Sequence, residues 1–301
     1  MPLIAAFAAA VALLSLVAFL GGLFWMFDLV AAFRPQLALV LLVLSSILML
    51  SRWHRTALVI GLVMVVNVVT IIPLFVPGPR AATRDLRILS FNVLANNEDY
   101  EEVIEFIQTS GADLVVLHEA SEPWEEALGE ADLGYTIWLN RNPEDIFSSV
   151  VLAPPDAVVE SFGFRLDDPR SVAIRLPSGV SVLAIHPLSP QRRQRAELRD
   201  RQLAIAGDWV KEQAGPVIVT GDFNASPFSY PYRRLRATTG LNDSIRGFGL
   251  ELTYPARLPS FFQVSIDHLL FSEGLAVVDR RLGPALGSDH FPLIVDLAVS
   301  S

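Results

Sequence analysis

No cysteine occurs among the 301 residues, which excludes a disulfide framework, a zinc–thiolate site and a thiol nucleophile. Lysine is nearly missing as well. Lys211 is the single one, so arginine supplies almost all of the positive charge. Arginine suits bidentate phosphate contact, although a bias in composition would give the same excess. The first 84 residues hold one acid, Asp28, and five arginines; 31 of the 32 acids and 18 of the 23 bases lie beyond, a surplus of 13 negative charges. Non-specific nucleic-acid affinity comes from neutralising phosphates, so only a local basic groove would let such a domain grip DNA. The chain also lacks internal repeats, low-complexity segments, Walker or Rossmann glycine patterns and a serine elbow.

What the N-terminal part does have is long uncharged runs. Residues 2–27, 35–51 and 56–79 predict three transmembrane helices, since about 20 apolar residues cross the hydrocarbon of a bilayer. A cleaved signal peptide is the alternative for the first run, but that run is too long and two more follow. Residues 1–79 therefore read as a membrane anchor, 80–85 as a linker and 86–301 as a separate folded domain, with Pro77-Gly78-Pro79 closing the third span. Counting arginines near the spans favours a cytoplasmic domain by the positive-inside rule.

From Leu86 onward the pattern turns to short apolar runs. Strands are expected at 87–93, 114–117, 148–153, 171–176, 181–185, 217–220, 266–271 and 293–299, several of them apolar on both faces and so covered on both sides. Helices are expected at 100–109, 123–129 and 191–213. The last carries Arg192, Arg195 and Arg199 on one stripe, which reads as a solvated face or as a contact for phosphate.

Polar residues sit at the ends of these apolar strands: Asn92, His118-Glu119, His186, Asp222-Phe223-Asn224, Asp267-His268 and Asp289-His290. Strand ends gather at one edge of a sheet, where rigid supports can hold a site. Carboxylates, amides and imidazoles there match the needs of phosphate-ester hydrolysis: oxygen ligands for a hard cation, a group to take a proton from water, and donors to the phosphoryl oxygens. Each has a plainer reading beside it. Asn92 could cap a turn, Asp222 and Asn224 could form an Asx turn, His186 could be a satisfied core imidazole, and His268 suits a structural role better than a catalytic one.

The motifs FNVL (91–94), LHEA (117–120), IHP (185–187), TGDFN (220–224), SIDHLL (265–270) and GSDHFP (287–292) occur in the order that resembles the endonuclease/exonuclease/phosphatase superfamily of DNase I-like nucleases, inositol polyphosphate phosphatases and sphingomyelinases. The resemblance spans about 86–297. It implies an α/β fold, a four-layer DNase I-like sandwich of two packed, mostly antiparallel sheets flanked by helices, preceded here by the three transmembrane helices. It implies Mg²⁺ as cofactor, with Mn²⁺ as a substitute. By the same resemblance Glu119 is the main metal carboxylate, with Asn92 and Asp289 beside the metal. Asp222 orients and activates water, Asn224 and His186 meet phosphoryl oxygens, and Asp267 holds His290. Whether Asp222 or His290 takes the proton stays open. His118 stands where many members carry Gln, and the stretch after Asn92 lacks the extra Asp of some DNA-repair members.

The anchor and the acidic domain point to a membrane-anchored phosphatase, pyrophosphatase or phosphodiesterase with a lipid-linked or small phosphate ester as substrate. Similarity to members with three N-terminal spans implies a polyprenyl pyrophosphate, in a multi-pass cell-membrane protein whose catalytic domain lies outside the cytoplasm. That outweighs the arginine count. A membrane-tethered nuclease is the alternative, with Arg192, Arg193, Arg195 and Arg199 or Arg233, Arg234 and Arg236 as its basic groove. A non-catalytic binding module is the remaining one.

Overall fold

The computed structural model describes residues 1–120, 122–140, 148–163 and 171–299. Its N-terminal part is helical: α1 (Pro2–Val17), α2 (Trp25–Ala31), α3 (Arg34–Leu50) and α4 (His54–Ile71). Two helices, Pro2–Leu20 and His54–Phe75, are long and apolar enough to cross a membrane. Trp25–Ala31 and Arg34–Leu50, bent by 69°, count as a third if the pair forms one span. The expected first run of 2–27 is thus corrected: the helix gives way at Gly21-Gly22, and Trp25 starts a new one that turns back toward the rest of the chain. Ala8, Ala12, Leu41, Leu48, Ala57 and Ile60 pack α1, α3 and α4 together, while Leu3, Leu50 and Leu62 on the outer faces stay exposed. Asn67 has a packing role, because its Nδ2 donates to Ser15 Oγ on α1 (2.6 Å).

Among the described residues beyond this bundle, twelve strands form two six-stranded sheets. The first runs in the order β11-β12-β1-β2-β4-β3 and the second β5-β6-β7-β8-β10-β9. Their ranges are β1 Leu86–Asn92, β2 Leu114–His118, β3 Thr136–Asn140, β4 Ser149–Ala153, β5 Val158–Phe162, β6 Ser171–Arg175, β7 Ser181–Ile185, β8 Val217–Asp222, β9 Asn242–Asp243, β10 Asp267–Phe271, β11 Leu275–Leu282 and β12 Leu293–Val299. The outer helices are α5 (Tyr100–Ser110), α6 (Glu122–Glu130), α7 (Arg193–Glu212) and α8 (Tyr230–Thr239).

Strand alternation sorts the core into three layers. Ile88, Val116, Val182 and Ile218 face one another between the sheets. Leu89, Phe91, Val115 and Leu117 point outward under Ile107 and Trp124 of α5 and α6. Leu183, Ile185 and Val219 point outward under Leu203 of α7 and Tyr232 of α8. Both faces of the central strands are therefore covered, which is why their sequences are continuously apolar. This is the DNase I-like sandwich.

Each sheet has one parallel pair at its centre, β1 with β2 and β7 with β8. Parallel strands end at the same edge, so Asn92 emerges beside His118 and Ile185 beside Gly221. Strand β10 runs antiparallel to β8 and begins where β8 ends, with Asp267 opposite Asp222. Strand β12 likewise starts beside the end of β1. Six chain segments thus deliver polar residues to one edge of the sandwich.

The helical bundle docks on the sandwich next to that edge. Gln36 Nε2 donates to the Gln263 carbonyl (2.7 Å). The Leu74 carbonyl accepts from the Gly247 and Gly249 N–H groups (2.7 and 3.0 Å). Ala31, Ala38 and Leu74 pack on Phe228 and Ile245. The segment expected as a plain linker pairs with β11, through a bridge between Arg80 and Val277.

Candidate active site

The buried carboxylate of Asp222 lies at the centre of the edge. Its Oδ2 is approached by Asn92 Nδ2 (3.3 Å), Asn224 Nδ2 (3.4 Å), His186 Nε2 (3.5 Å) and His290 Nε2 (3.7 Å). Four donors from four chain segments converge on one oxygen. Asp222 Oδ1 accepts the Asn224 N–H (2.8 Å), so the Asx turn and the clustering coexist. Burial pushes the Asp222 carboxyl up, the facing His290 pulls it down, and Asp267 and Glu119 push it up again, leaving it at about 7.

His290 is held from behind, with Nδ1 on Asp267 Oδ2 (2.9 Å). Burial pulls this imidazole down, but Asp267, Asp222 and Asp289 outweigh that and raise it to about 10. Burial would raise Asp267, yet the charge and hydrogen bond of His290, aided by Thr253, hold it below the usual carboxylate range. His290 therefore carries a proton on both nitrogens at neutral pH and presents Nε2–H to the site. The Ser288 hydroxyl fixes the loop, donating to the Asn92 carbonyl (2.7 Å) and accepting from the His290 N–H (3.0 Å).

Glu119 follows β2 and turns back into the cleft, where Oε1 accepts from Asn92 Nδ2 (3.1 Å) and lies 3.6 Å from His186 Nε2. Glu119 and Asn224 both adopt positive φ, 58° and 49°. Non-glycine residues in this region carry local strain and are concentrated at functional sites. Asn92 Oδ1 is occupied by the Leu94 N–H (3.1 Å), so its amide turns donors toward the two acids. Asp289 lines the same cleft. His118 lies wholly buried beneath, with Nδ1 on Ser149 Oγ (3.1 Å), and burial lowers its pKa to about 4. It is a neutral support. His268 is wedged between Phe223 and Tyr232, with ring centroids 5.2 and 4.5 Å away, and stays outside the cleft.

The cleft encloses about 220 Å³ and is lined by Glu119, His186, Asp222, Asn224, Asp289 and His290 together with Arg195 and Tyr254. Tyr254 was not read from the sequence, although its ring sits 4.7 Å from that of His290; an isolated Tyr in a loop carries no local signal. The arginine stripe of α7 is corrected in part. Arg195 reaches the cleft, whereas Arg199 is buried and ion-paired to Asp28 and Asp200.

Ligand atoms of Asp222, Asp267 and His290 come within 4.8 Å of one another, close enough to share a metal ion. The Asp267–His290 hydrogen bond already ties two of those three side chains to each other. The oxygen-only donors of Glu119 and Asp222 suit a hard cation better.

A family model described as the endonuclease/exonuclease/phosphatase family matches residues 89–290. The chain belongs to that family and is an enzyme acting on phosphoester bonds; such enzymes are typically metal-dependent. Solved structures with the same fold include an endonuclease/exonuclease/phosphatase from Bacteroides vulgatus, at 18% identity over 72% of this chain and 100% of that one, TM-score 0.57. D. rerio TDP2 complexed with a single-strand DNA product gives 16% identity over 71% and 99%, TM-score 0.59. The 3′ phosphatase NExo from Neisseria, bound to a product DNA hairpin, gives 18% identity over 71% and 99%, TM-score 0.57. A search of curated proteins found no match.

Proposed function

We propose that this enzyme is a membrane-anchored, Mg²⁺-dependent phosphatase or pyrophosphatase acting on a lipid-linked phosphate. Residues 1–79 serve as the anchor, 80–85 as the connection and 86–301 as a catalytic domain outside the cytoplasmic membrane. The observation that carries the chemistry is the convergence of four donors on Asp222 Oδ2. The anchor's docking beside the same edge supports a substrate held at the membrane.

Glu119 would hold the cation, with Asp222 and Asp289 as the nearby carboxylates, and Mn²⁺ would substitute for Mg²⁺. When bound, the cation neutralises charge on the phosphoryl oxygens. The chain's own groups do the rest. Asp222 aligns water in the cleft and takes its proton, since it is the one carboxylate ringed by donors that keep it in place. His290, doubly protonated against Asp267, donates to a phosphoryl oxygen, and His186 and Asn224 do the same from the second sheet. Arg195 meets remaining phosphate charge as the leaving group departs.

In a side-by-side assay the purified protein should release phosphate from a polyprenyl pyrophosphate faster than it nicks plasmid DNA. The opposite ranking would favour the tethered nuclease. Against that reading, the pairing of Arg199 with Asp28 removes one arginine from the basic groove it needs.

A further inference from the structure

Next to the catalytic cleft lies a second cavity of about 330 Å³ with different chemistry. One wall is Leu29, Ala32 and Phe33, at the bend between α2 and α3. The other is Pro190, Val264 and Ile266 of the sandwich. The charges at its floor, Asp28 and Arg199, neutralise each other at 2.8 Å, so the cavity offers an apolar surface without free charge. Ser189, Gln191, Asn224, Tyr254 and Ile266 line both this cavity and the catalytic cleft, so the two adjoin. Phe33 at the rim is exposed, as are Phe261 and Phe262 in the loop just before Val264.

A polar cleft that adjoins an apolar groove matches an amphiphile with its phosphate in one and its hydrocarbon in the other. We propose that the groove between the α2–α3 bend and the sandwich is a binding site for the hydrocarbon chain of the substrate. The inference rests on the phosphohydrolase reading above and makes the N-terminal helices part of the substrate site rather than a tether alone. Leu29 on α2 and Phe33 at the 69° bend supply the groove's helical wall.

The test is a series of alkyl pyrophosphates, from ethyl to dodecyl, given to the full-length protein in lipid nanodiscs. The expected result is a KM that falls by roughly fourfold for each methylene buried, then levels once the groove is full. Ala32→Phe, which fills the groove, and Leu29→Gln, which makes it polar, should each flatten that dependence while leaving ethyl pyrophosphate turnover unchanged. A wild-type KM independent of chain length, with ethyl pyrophosphate still hydrolysed, would overturn the groove alone. A chain-length dependence untouched by both variants would also overturn it. Failure to hydrolyse any member of the series would overturn the phosphohydrolase reading instead.

Discussion

Arg199 on α7 and Asp28 on α2 form an ion pair at 2.8 Å in which each side chain is only 2% exposed. The same guanidinium donates to the Asn224 carbonyl (3.0 Å), and Asp28 Oδ1 accepts the Tyr230 N–H (2.5 Å). The sole acid of the first 84 residues thus holds the arginine that holds the catalytic loop. A buried charge left wholly unpaired costs about 3–5 kcal/mol, but the half-exposed Asp200 also pairs with Arg199 (2.7 Å), so loss of Asp28 should cost less than that. Asp28→Ala should lower the thermal midpoint and reduce kcat through Asn224. Asp28→Asn, which keeps an acceptor for Tyr230, should be milder in both. Unfolding curves and single-substrate kinetics on the two variants check this.

That pair also marks where local sequence reading stops. The central strands were legible because β2, β7 and β8 are buried on both faces and read as unbroken apolar runs. The candidate site residues were legible because each stands at one end of such a run. Strands β5 and β11 were not, since edge strands such as VVESF and LAVVDRRL mix exposed charges with apolar residues. Helix α8 escaped notice with Pro231, Tyr232 and Leu235 as its buried residues. The partner of Arg199 lies 171 positions away, and no periodicity distinguishes it from the exposed Arg192 and the half-buried Arg195 on the same stripe.

Asp267 should act through His290, as its carboxylate touches that imidazole and lies behind it. Asp267→Asn keeps the shape but withdraws the charge that sustains the imidazolium. A fall in kcat of about 10²–10⁴ is expected, together with a lower thermal midpoint because a buried pair loses one of its charges, and His290→Ala should reach the same kcat floor. Because the two act as one unit, the double variant should be no worse than either alone. Additive losses in a double-mutant cycle would refute the coupling.

Divalent cation should be required. Dialysis against a chelator should abolish phosphate release, and added Mg²⁺ or Mn²⁺ should restore it. Glu119→Gln should raise the concentration of Mg²⁺ needed for half-maximal rate, whereas Asp267→Asn should leave that concentration unchanged. Activity that persists in chelator would rule out the metal.

His268 makes a stability prediction. Burial lowers its pKa to about 4, outweighing Asp243 and the Ala225 carbonyl that would raise it. In the unfolded chain it titrates near 6.5. Above that pH both states are neutral and its contribution is complete. Between about 6.5 and 4 only the unfolded state takes up the proton, so stability falls as pH falls, by up to about 3 kcal/mol. His118, also held down to about 4 by burial, acts in the same window. Acidification should therefore lower the unfolding midpoint across that range. Asp222, held up to about 7, keeps its proton in the folded state across the same range and offsets one of the two histidines; His268→Gln should therefore remove most of the slope, and an unchanged slope would mean that other groups drive it.

Gly221 is where two strands are forced into close approach beneath the site. Its φ is +137°, and a Cβ there would run into the Ile185 carbonyl oxygen and His118 Nε2 (2.7 Å). The carbonyl belongs to the parallel partner strand β7, so it cannot rotate away as a flexible side chain would. Gly221→Ala should then push β7 from β8 and move His186 relative to Asp222, two side chains whose separation the mechanism depends on. Overpacking of a tight interior costs about 1–3 kcal/mol, and the backbone conformation adds to it. The expected variant is folded but less stable, with kcat reduced more than KM is changed. An alanine variant with wild-type kcat would show that the spacing of β7 and β8 is not what sets the geometry at Asp222.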